Sequence, residues 1–139
     1  MGEHDRRPSE DHIRRAHELV RILLPALREI ARQHGYALAV HGSLERDIDL
    51  VAIPWRESAT SASRLMRQIF TACDAIMGSA TGPQGWTEFQ NRPAPSGALP
   101  NPDVKAHGRL AWSILFGSGP YLDISVMPIV VPQKNPRKK

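Results

Sequence analysis

The stretch of sequence at residues 36–54, YALAVHGSLERDIDLVAIP, carries the pattern from which the fold is predicted. Residues 36–41 and 47–53 are short, mostly apolar runs, a pattern typical of β-strands. Only five residues, at 42–46, lie between the two runs. A connection this short joins antiparallel neighbours, so we predict a tight antiparallel pair that Pro54 closes.

Helical patterns lie on both sides of this pair. In residues 9–34 and 58–77, apolar side chains recur every three or four positions, which predicts two amphipathic helices. Ser9 is a candidate N-cap, and a glycine follows each segment, where helices commonly end. Pro25 lies inside the first segment and is expected to kink that helix or divide it in two.

Glycine and proline dominate residues 79–105, which have little periodicity and are expected to form a long loop. A loop of this length is either functional, for example a lid, or a mobile insertion. Beyond it, residues 110–116 and 122–126 alternate between apolar and polar positions and predict a hairpin.

Together these elements predict a single α+β domain over residues 1–139, with a small mixed or antiparallel sheet of at least four strands packed by two main helices. Residues 1–8 are expected to form a loose N-terminal arm, and residues 132–139 a basic tail.

Composition limits the class of protein. No apolar run approaches the roughly 20 residues of a membrane span, and the charged start of the chain does not resemble a secretory signal. A single cysteine, Cys73, can form no internal disulfide, so a cytoplasmic location without membrane contact is expected. The net charge of +4 comes from residues 134–139, KNPRKK, since the remaining chain has 14 basic and 14 acidic residues. The basic tail is either a solvated end or an arm that binds nucleic acid.

The acid pair in the second strand is the main functional signal. Asp47 and Asp49 are two residues apart, so they share one face of a strand, about 6.5–7 Å apart at the backbone. Two like charges at this spacing repel each other, and a hard divalent cation with oxygen ligands, such as Mg²⁺, reverses that repulsion. The alternative is a solvated strand face that happens to begin with Asp.

Three further segments are candidates for the same site. Gly42 and Ser43 end the preceding strand, where free N–H groups and a hydroxyl could hold phosphate oxygens or simply form a turn. Asp123 is a lone carboxylate in an apolar strand, and it either joins the acid pair or forms a salt bridge with an arginine such as Arg109. Lys105 and Arg109 precede the third predicted strand and either neutralise phosphate charge or mark a solvated strand entry.

The combination of Gly42-Ser43, Asp47-Ile48-Asp49-Leu50 and the later Asp123 resembles the nucleotidyltransferase fold of the DNA polymerase β-like superfamily. The chain also resembles short phage and bacterial proteins with an HGS…RDIDL…PW pattern, a likeness that implies no activity.

The resemblance to the nucleotidyltransferase fold implies Mg²⁺ or Mn²⁺ held by Asp47, Asp49 and Asp123, with Asp123 also activating the acceptor hydroxyl. It implies Gly42 and Ser43 at the phosphates of a nucleoside triphosphate. The reaction implied is transfer of a nucleoside monophosphate to a hydroxyl acceptor, which could be RNA, protein or a small molecule.

The chain departs from the family pattern in one respect. Only residues 44–46 separate Gly42-Ser43 from the acid pair, where the family usually has enough residues for a short helix. The alternative function is therefore a catalytically inactive binding or regulatory module with the same fold, which a phage could encode. A chain of this size has no separate substrate domain, so an acceptor would bind against the long loop, the first helix or a second subunit in a homodimer.

Overall fold

A computed structural model describes residues 8–80, 99, 101–117 and 119–130. Residues 1–7 of the predicted arm, the basic tail and most of the predicted long loop lie outside the described residues. The described part is α+β, as the sequence predicts, with two long helices and five strands. In chain order the elements are α1 (Glu10–Gln33), β1 (Tyr36–His41), β2 (Ile48–Pro54), α2 (Ala62–Met77), β3 (Asp103–Val104), a 3₁₀ turn (Ala106–Gly108), β4 (Leu110–Ile114) and β5 (Leu122–Val126).

The five strands form one mixed sheet in the order β1-β2-β5-β4-β3. The two predicted hairpin pairs, β1 with β2 and β4 with β5, are antiparallel, which confirms those predictions. The two pairs are joined by parallel pairing between β2 and β5 at the centre of the sheet. This central pairing brings together the two strands that carry the predicted carboxylates.

The first helix begins where its sequence predicts and continues through its proline. The Ser9 side chain accepts a hydrogen bond from the His12 N–H at 3.0 Å, which confirms the predicted N-cap. The helix then runs without interruption through Pro25, so the predicted division into two helices is wrong. Pro25 is exposed on the helix surface, where water can hydrogen-bond the carbonyl left without its usual donor.

The second helix begins at Ala62, four residues later than predicted. The segment before it is held to the end of α1 by two backbone hydrogen bonds of 2.9 Å, from Trp55 to Gly35 and from Thr60 to His34. These bonds keep the segment before Ala62 from continuing the helix, so that α2 begins after Ser61, whose side chain caps it. Gly78, with φ +88°, ends α2 as predicted.

The short strand β3 was not predicted, because two residues carry no detectable period. Asp103 pairs with Ala111 and Val104 with Leu110, so β3 forms the edge of the sheet beside β4.

The two faces of the sheet differ in chemistry. One face packs against the helices and forms the core with their apolar sides. Sheet side chains in this core include Leu38, Ile48, Leu50, Ala52, Trp112, Ile114, Leu122, Ile124 and Val126, all less than 7% exposed. The alternate residues of the same strands face away from the helices, and we call this side of the sheet the open face.

Candidate functional site

A row of polar side chains crosses the open face at one level of the sheet. Asp49 of β2 pairs with His41 of β1 on one side and with Asp123 of β5 on the other, and Asp123 pairs with Ser113 of β4. Residues paired in this way have side chains on the same face, with strands about 4.8 Å apart. The structure therefore brings Asp49 and Asp123, from two distant parts of the sequence, side by side.

Asp47 lies on the open face just before β2 begins. Ile48 pairs with Leu122, and the Ile48 N–H donates to the Tyr121 carbonyl at 3.0 Å, so Tyr121 stands beside Asp47. Burial raises the pKa of the Tyr121 phenol, and the charges of Asp47 and Asp123 raise it further. Sequence reasoning missed Tyr121. Its position two residues before Asp123 in an alternating strand was the available signal, because it places both side chains on one face.

The carboxylates are in an unfavourable electrostatic environment. Burial raises the pKa of Asp49, and the charge of Asp47 raises it further, while His41 lowers it. Burial also raises the pKa of Asp123, with further contributions from Asp49, Asp103 and Asp47. Asp47 thus opposes ionisation of Asp49, and Asp49, Asp103 and Asp47 oppose ionisation of Asp123, as expected for like charges in a partly desolvated site.

No described side chain neutralises these acids by direct pairing. Among the residues that the structure describes, the ion pairs shorter than 4.0 Å all lie along α1. The alternative of an Asp123–Arg109 salt bridge is therefore absent from this set. Lys105 is the cation that acts on Asp123, where its charge lowers the pKa of the carboxyl, and its side chain is exposed.

Gly42 closely approaches the row of acids. It has φ +86°, and a Cβ built on it would lie 3.4 Å from Oδ2 of Asp49. The predicted neighbourhood of Gly42 and the acid pair at one sheet edge is therefore present. Ser43 is exposed, and its hydroxyl accepts a hydrogen bond from the Glu45 N–H at 3.3 Å inside the short loop.

Of the two predicted phosphate-neutralising residues, the structure brings only Lys105 near the acids. Arg109 precedes β4 and is four residues from Ser113, which is about 13 Å along an extended strand. Its Nε is buried and has no hydrogen-bond partner among the described residues. Arg109 is thus not part of the row.

The carboxylates of Asp47, Asp49 and Asp123 are the kind of ligand that a hard divalent cation prefers, but the three side chains do not converge on one point. In the described part of the chain, no group of three or more His, Cys, Asp or Glu side chains is arranged to hold a metal ion. Asp47, Asp49 and Asp123 offer carboxylate oxygens from backbone positions about 5–7 Å apart.

An apolar groove continues along the open face beyond the acids. Its volume is about 490 Å³, and it begins at Val51, two residues along β2 from Asp49. Trp55, which is 54% exposed, stands in its wall with the Arg56 guanidinium 4.8 Å from the centre of the indole ring. The remaining lining residues come from the ends of β2 and β5 and the segments that follow them: Ile53, Pro54, Glu57, Met127, Pro128, Ile129 and Val130.

Comparisons with known proteins leave the site without a named counterpart. No protein-family model matches the chain, no curated protein matches it, and no solved structure matches it. Within the described residues, neither helix has an apolar stretch long enough to cross a bilayer.

Proposed function

We propose that this protein is a nucleotidyltransferase-like enzyme, which moves a nucleoside monophosphate from a nucleoside triphosphate to a hydroxyl acceptor. The observation that supports this proposal most is the pairing of Asp49 with Asp123 on the open face, with Asp47 two residues away. Asp49 and Asp123 have raised pKa values and form no ion pair with a described side chain, which favours a bound cation.

Asp47, Asp49 and Asp123 would hold Mg²⁺ or Mn²⁺ in this proposal. The cation would supply charge neutralisation for the triphosphate and for the acids themselves. The missing side chain of Gly42 would let a phosphate approach Asp49, and the exposed Lys105, whose charge lowers the pKa of Asp123, would add positive charge.

Asp123 is suited to accept the proton of the acceptor hydroxyl. Burial and its acidic neighbours raise the pKa of its carboxyl, which makes it a better base than an exposed Asp. In the transfer, the acceptor oxygen forms a bond to the α-phosphorus. The bond from that phosphorus to the oxygen bridging the β-phosphate breaks, and pyrophosphate leaves with the electron pair.

The groove beside the acids offers a surface for the nucleobase. Val51 lies two residues from Asp49, a distance of about 6.6 Å, and Trp55 lies farther along the same face. An aromatic ring exposed over half its surface can stack a base, which is worth about 1–3 kcal/mol.

Label transfer tests the proposal directly. The protein would be incubated with Mg²⁺, each α-labelled nucleoside triphosphate and a panel of RNA, protein and small hydroxyl acceptors. We expect product with the wild type and none with Asp123→Asn. Asp74→Asn, which removes an exposed carboxylate on α2, is the matched control and should keep full activity. Equal transfer by Asp123→Asn and the wild type would refute the proposal.

A second candidate is a binding module with the same fold and no turnover. It is favoured by the loop after Gly42-Ser43, which has no helix and uses the Ser43 hydroxyl internally. This candidate predicts Mn²⁺ and nucleotide binding by the wild type in calorimetry, lost in Asp49→Asn, without product for any acceptor. Any label transfer that depends on Asp123 would exclude it.

A further inference from the structure

The first strand, β1, forms one edge of the sheet, and among the described strands it pairs with β2 alone. The Trp55 N–H, just after β2, donates to the Gly35 carbonyl, just before β1, at 2.9 Å. In an antiparallel ladder, residues that bond to the partner strand alternate with residues whose backbone groups point away from it. Because Gly35 bonds on the β2 side, the N–H and C=O groups of Tyr36, Leu38 and Val40 point outward, towards the free edge.

The sequence of β1 does little to protect this edge. Exposed edge strands usually carry a proline, a charged side chain or a bulge, each of which keeps a further strand from pairing. Residues 36–40, YALAV, contain neither proline nor a charged residue, and their register with β2 is continuous. Ala37 and Ala39 are exposed on the open face and are too small to obstruct an approaching strand. The strand itself is therefore well suited to pair with another strand.

A side chain of α1 covers the middle of the edge. Arg28 is exposed on the helix, and its Nε donates to the outward-pointing Leu38 carbonyl at 3.1 Å. Leu38 is only 6% exposed in the middle of an edge strand, so its outward backbone groups are covered as well as its side chain. The four described ion pairs of α1 join other arginines to acids of the helix, and Arg28 takes part in none of them. A strand that paired with β1 would have to displace Arg28 from this carbonyl.

We propose that Arg28 closes the β1 edge, and that without this contact the edge pairs antiparallel with β1 of a second copy of the chain. A second copy fits because the outward backbone groups are arranged symmetrically about Leu38. With Leu38 opposite its counterpart, Tyr36 of each copy faces Val40 of the other, and each facing pair can exchange both backbone hydrogen bonds. Neither the acids nor the groove on the open face takes part in this pairing.

Light scattering coupled to size-exclusion chromatography tests the inference through the mass in solution. We expect one chain for the wild type and two for Arg28→Ala, in which α1 should persist because Ala favours helix at least as well as Arg. Arg28→Met, a second variant, keeps a long side chain without the donor and should associate in the same way. The matched control is Arg21→Ala, which removes an arginine of the same helix that pairs with Glu18, and it should remain monomeric.

Amide hydrogen exchange shows where the copies meet. In associated Arg28→Ala protein, the Leu38 and Val40 amides should exchange more slowly than in the wild type. The Ala37 and Ala39 amides lie on the β2 side of β1 and should change little. Adding Val40→Pro removes an outward-pointing donor but no hydrogen bond to β2, so it should return the Arg28→Ala protein to a monomer.

Three results would overturn the inference. The first is a monomeric state for both Arg28→Ala and Arg28→Met. The second is a wild type that is already dimeric with slowly exchanging Leu38 and Val40 amides, since Arg28 would then not close the edge. The third is association of the variants without slower exchange at these two amides, which would show that another surface or partial unfolding joins the copies.

Discussion

Replacing Asp123 by Asn should make the metal-free protein more stable. The Asp49 and Asp123 backbones are paired across two strands, so their carboxylates lie roughly 5 Å apart. At that distance, two like charges repel by about 3 kcal/mol in a surface-like dielectric and by about 0.8 kcal/mol in water. Both side chains are partly exposed, so we expect a gain near the lower end, about 1 kcal/mol in the free energy of unfolding at pH 7.

The gain has a defined pH dependence. Because the pKa of Asp123 is raised in the folded protein, the folded state binds more protons than the unfolded state between the unfolded pKa near 3.9 and the folded pKa. Wild-type stability therefore falls as pH rises through that window. The advantage of Asp123→Asn should be absent below about pH 4 and complete above the raised pKa of Asp123.

Thermal denaturation followed by circular dichroism measures this effect. A gain of about 1 kcal/mol corresponds to a rise of roughly 4 °C in Tm for a chain of this size. In Mg²⁺ or Mn²⁺ the order should reverse, because a ligand at 100 times its Kd stabilises the wild type by about 2.7 kcal/mol and the variant by much less. Asp74→Asn should change Tm little under either condition. A lower Tm for metal-free Asp123→Asn at pH 7 would refute the electrostatic reasoning.

Three further predictions concern other parts of the described chain. Gly42→Ala should cost about 1–2 kcal/mol of stability in denaturant unfolding, and it should weaken Mn²⁺ binding in calorimetry because the added Cβ would contact Asp49. The control is Gly78→Ala, at a glycine with φ +88° and no atom within 4 Å of an added Cβ. It should cost similar stability and leave Mn²⁺ binding unchanged. Burial raises the pKa of the Cys73 thiol to about 12, so native protein should resist a thiol reagent at pH 8 and react only in denaturant, whereas rapid native labelling would contradict the buried position. Trp55→Ala should weaken nucleotide binding about tenfold without changing Mn²⁺ affinity. Ile76→Ala, which removes an exposed apolar side chain on α2, should change neither affinity. Equal nucleotide affinity of the wild type and both variants would exclude the groove as the base site.

Local patterns in the sequence were sufficient to predict most of the elements. Alternation identified the inward and outward residues of β2 and β5, and so placed Asp49 and Asp123 on the outward side of each strand. The capping residue Ser9 and the glycine after α2 marked helix ends for local reasons that the structure confirms. These features depend on the residue itself and its immediate neighbours.

The remaining features depend on contacts between distant segments. Nothing local indicates that β5 pairs in parallel with β2, or that the register places Asp123 opposite Asp49 rather than one residue away. Without that register, the sequence could not place Tyr121 beside Asp47. The late start of α2 also depends on a distant contact, because the hydrogen bond from Thr60 to His34 fixes the preceding segment.

Arg109 shows that closeness to Lys105 in the sequence does not place a charged side chain near the acids. It was grouped with Lys105 as a candidate for phosphate binding because the two are four residues apart. The backbone bond from the Lys105 N–H to the Arg109 carbonyl, 2.8 Å long, closes a turn between them. Lys105 acts on Asp123, whereas Arg109 begins the approach to β4 about 13 Å along the strand from Ser113.

The most direct test of the account is whether a divalent cation binds at the paired acids. Paramagnetic Mn²⁺, added below one equivalent to isotope-labelled protein, broadens the NMR signals of nearby amides. We predict early and selective broadening of Asp49, Asp123 and Ser113, with the α2 amides unaffected and the effect absent in Asp49→Asn. Uniform broadening, or broadening confined to amides near the acidic side chains on the surface of α1, would contradict the account.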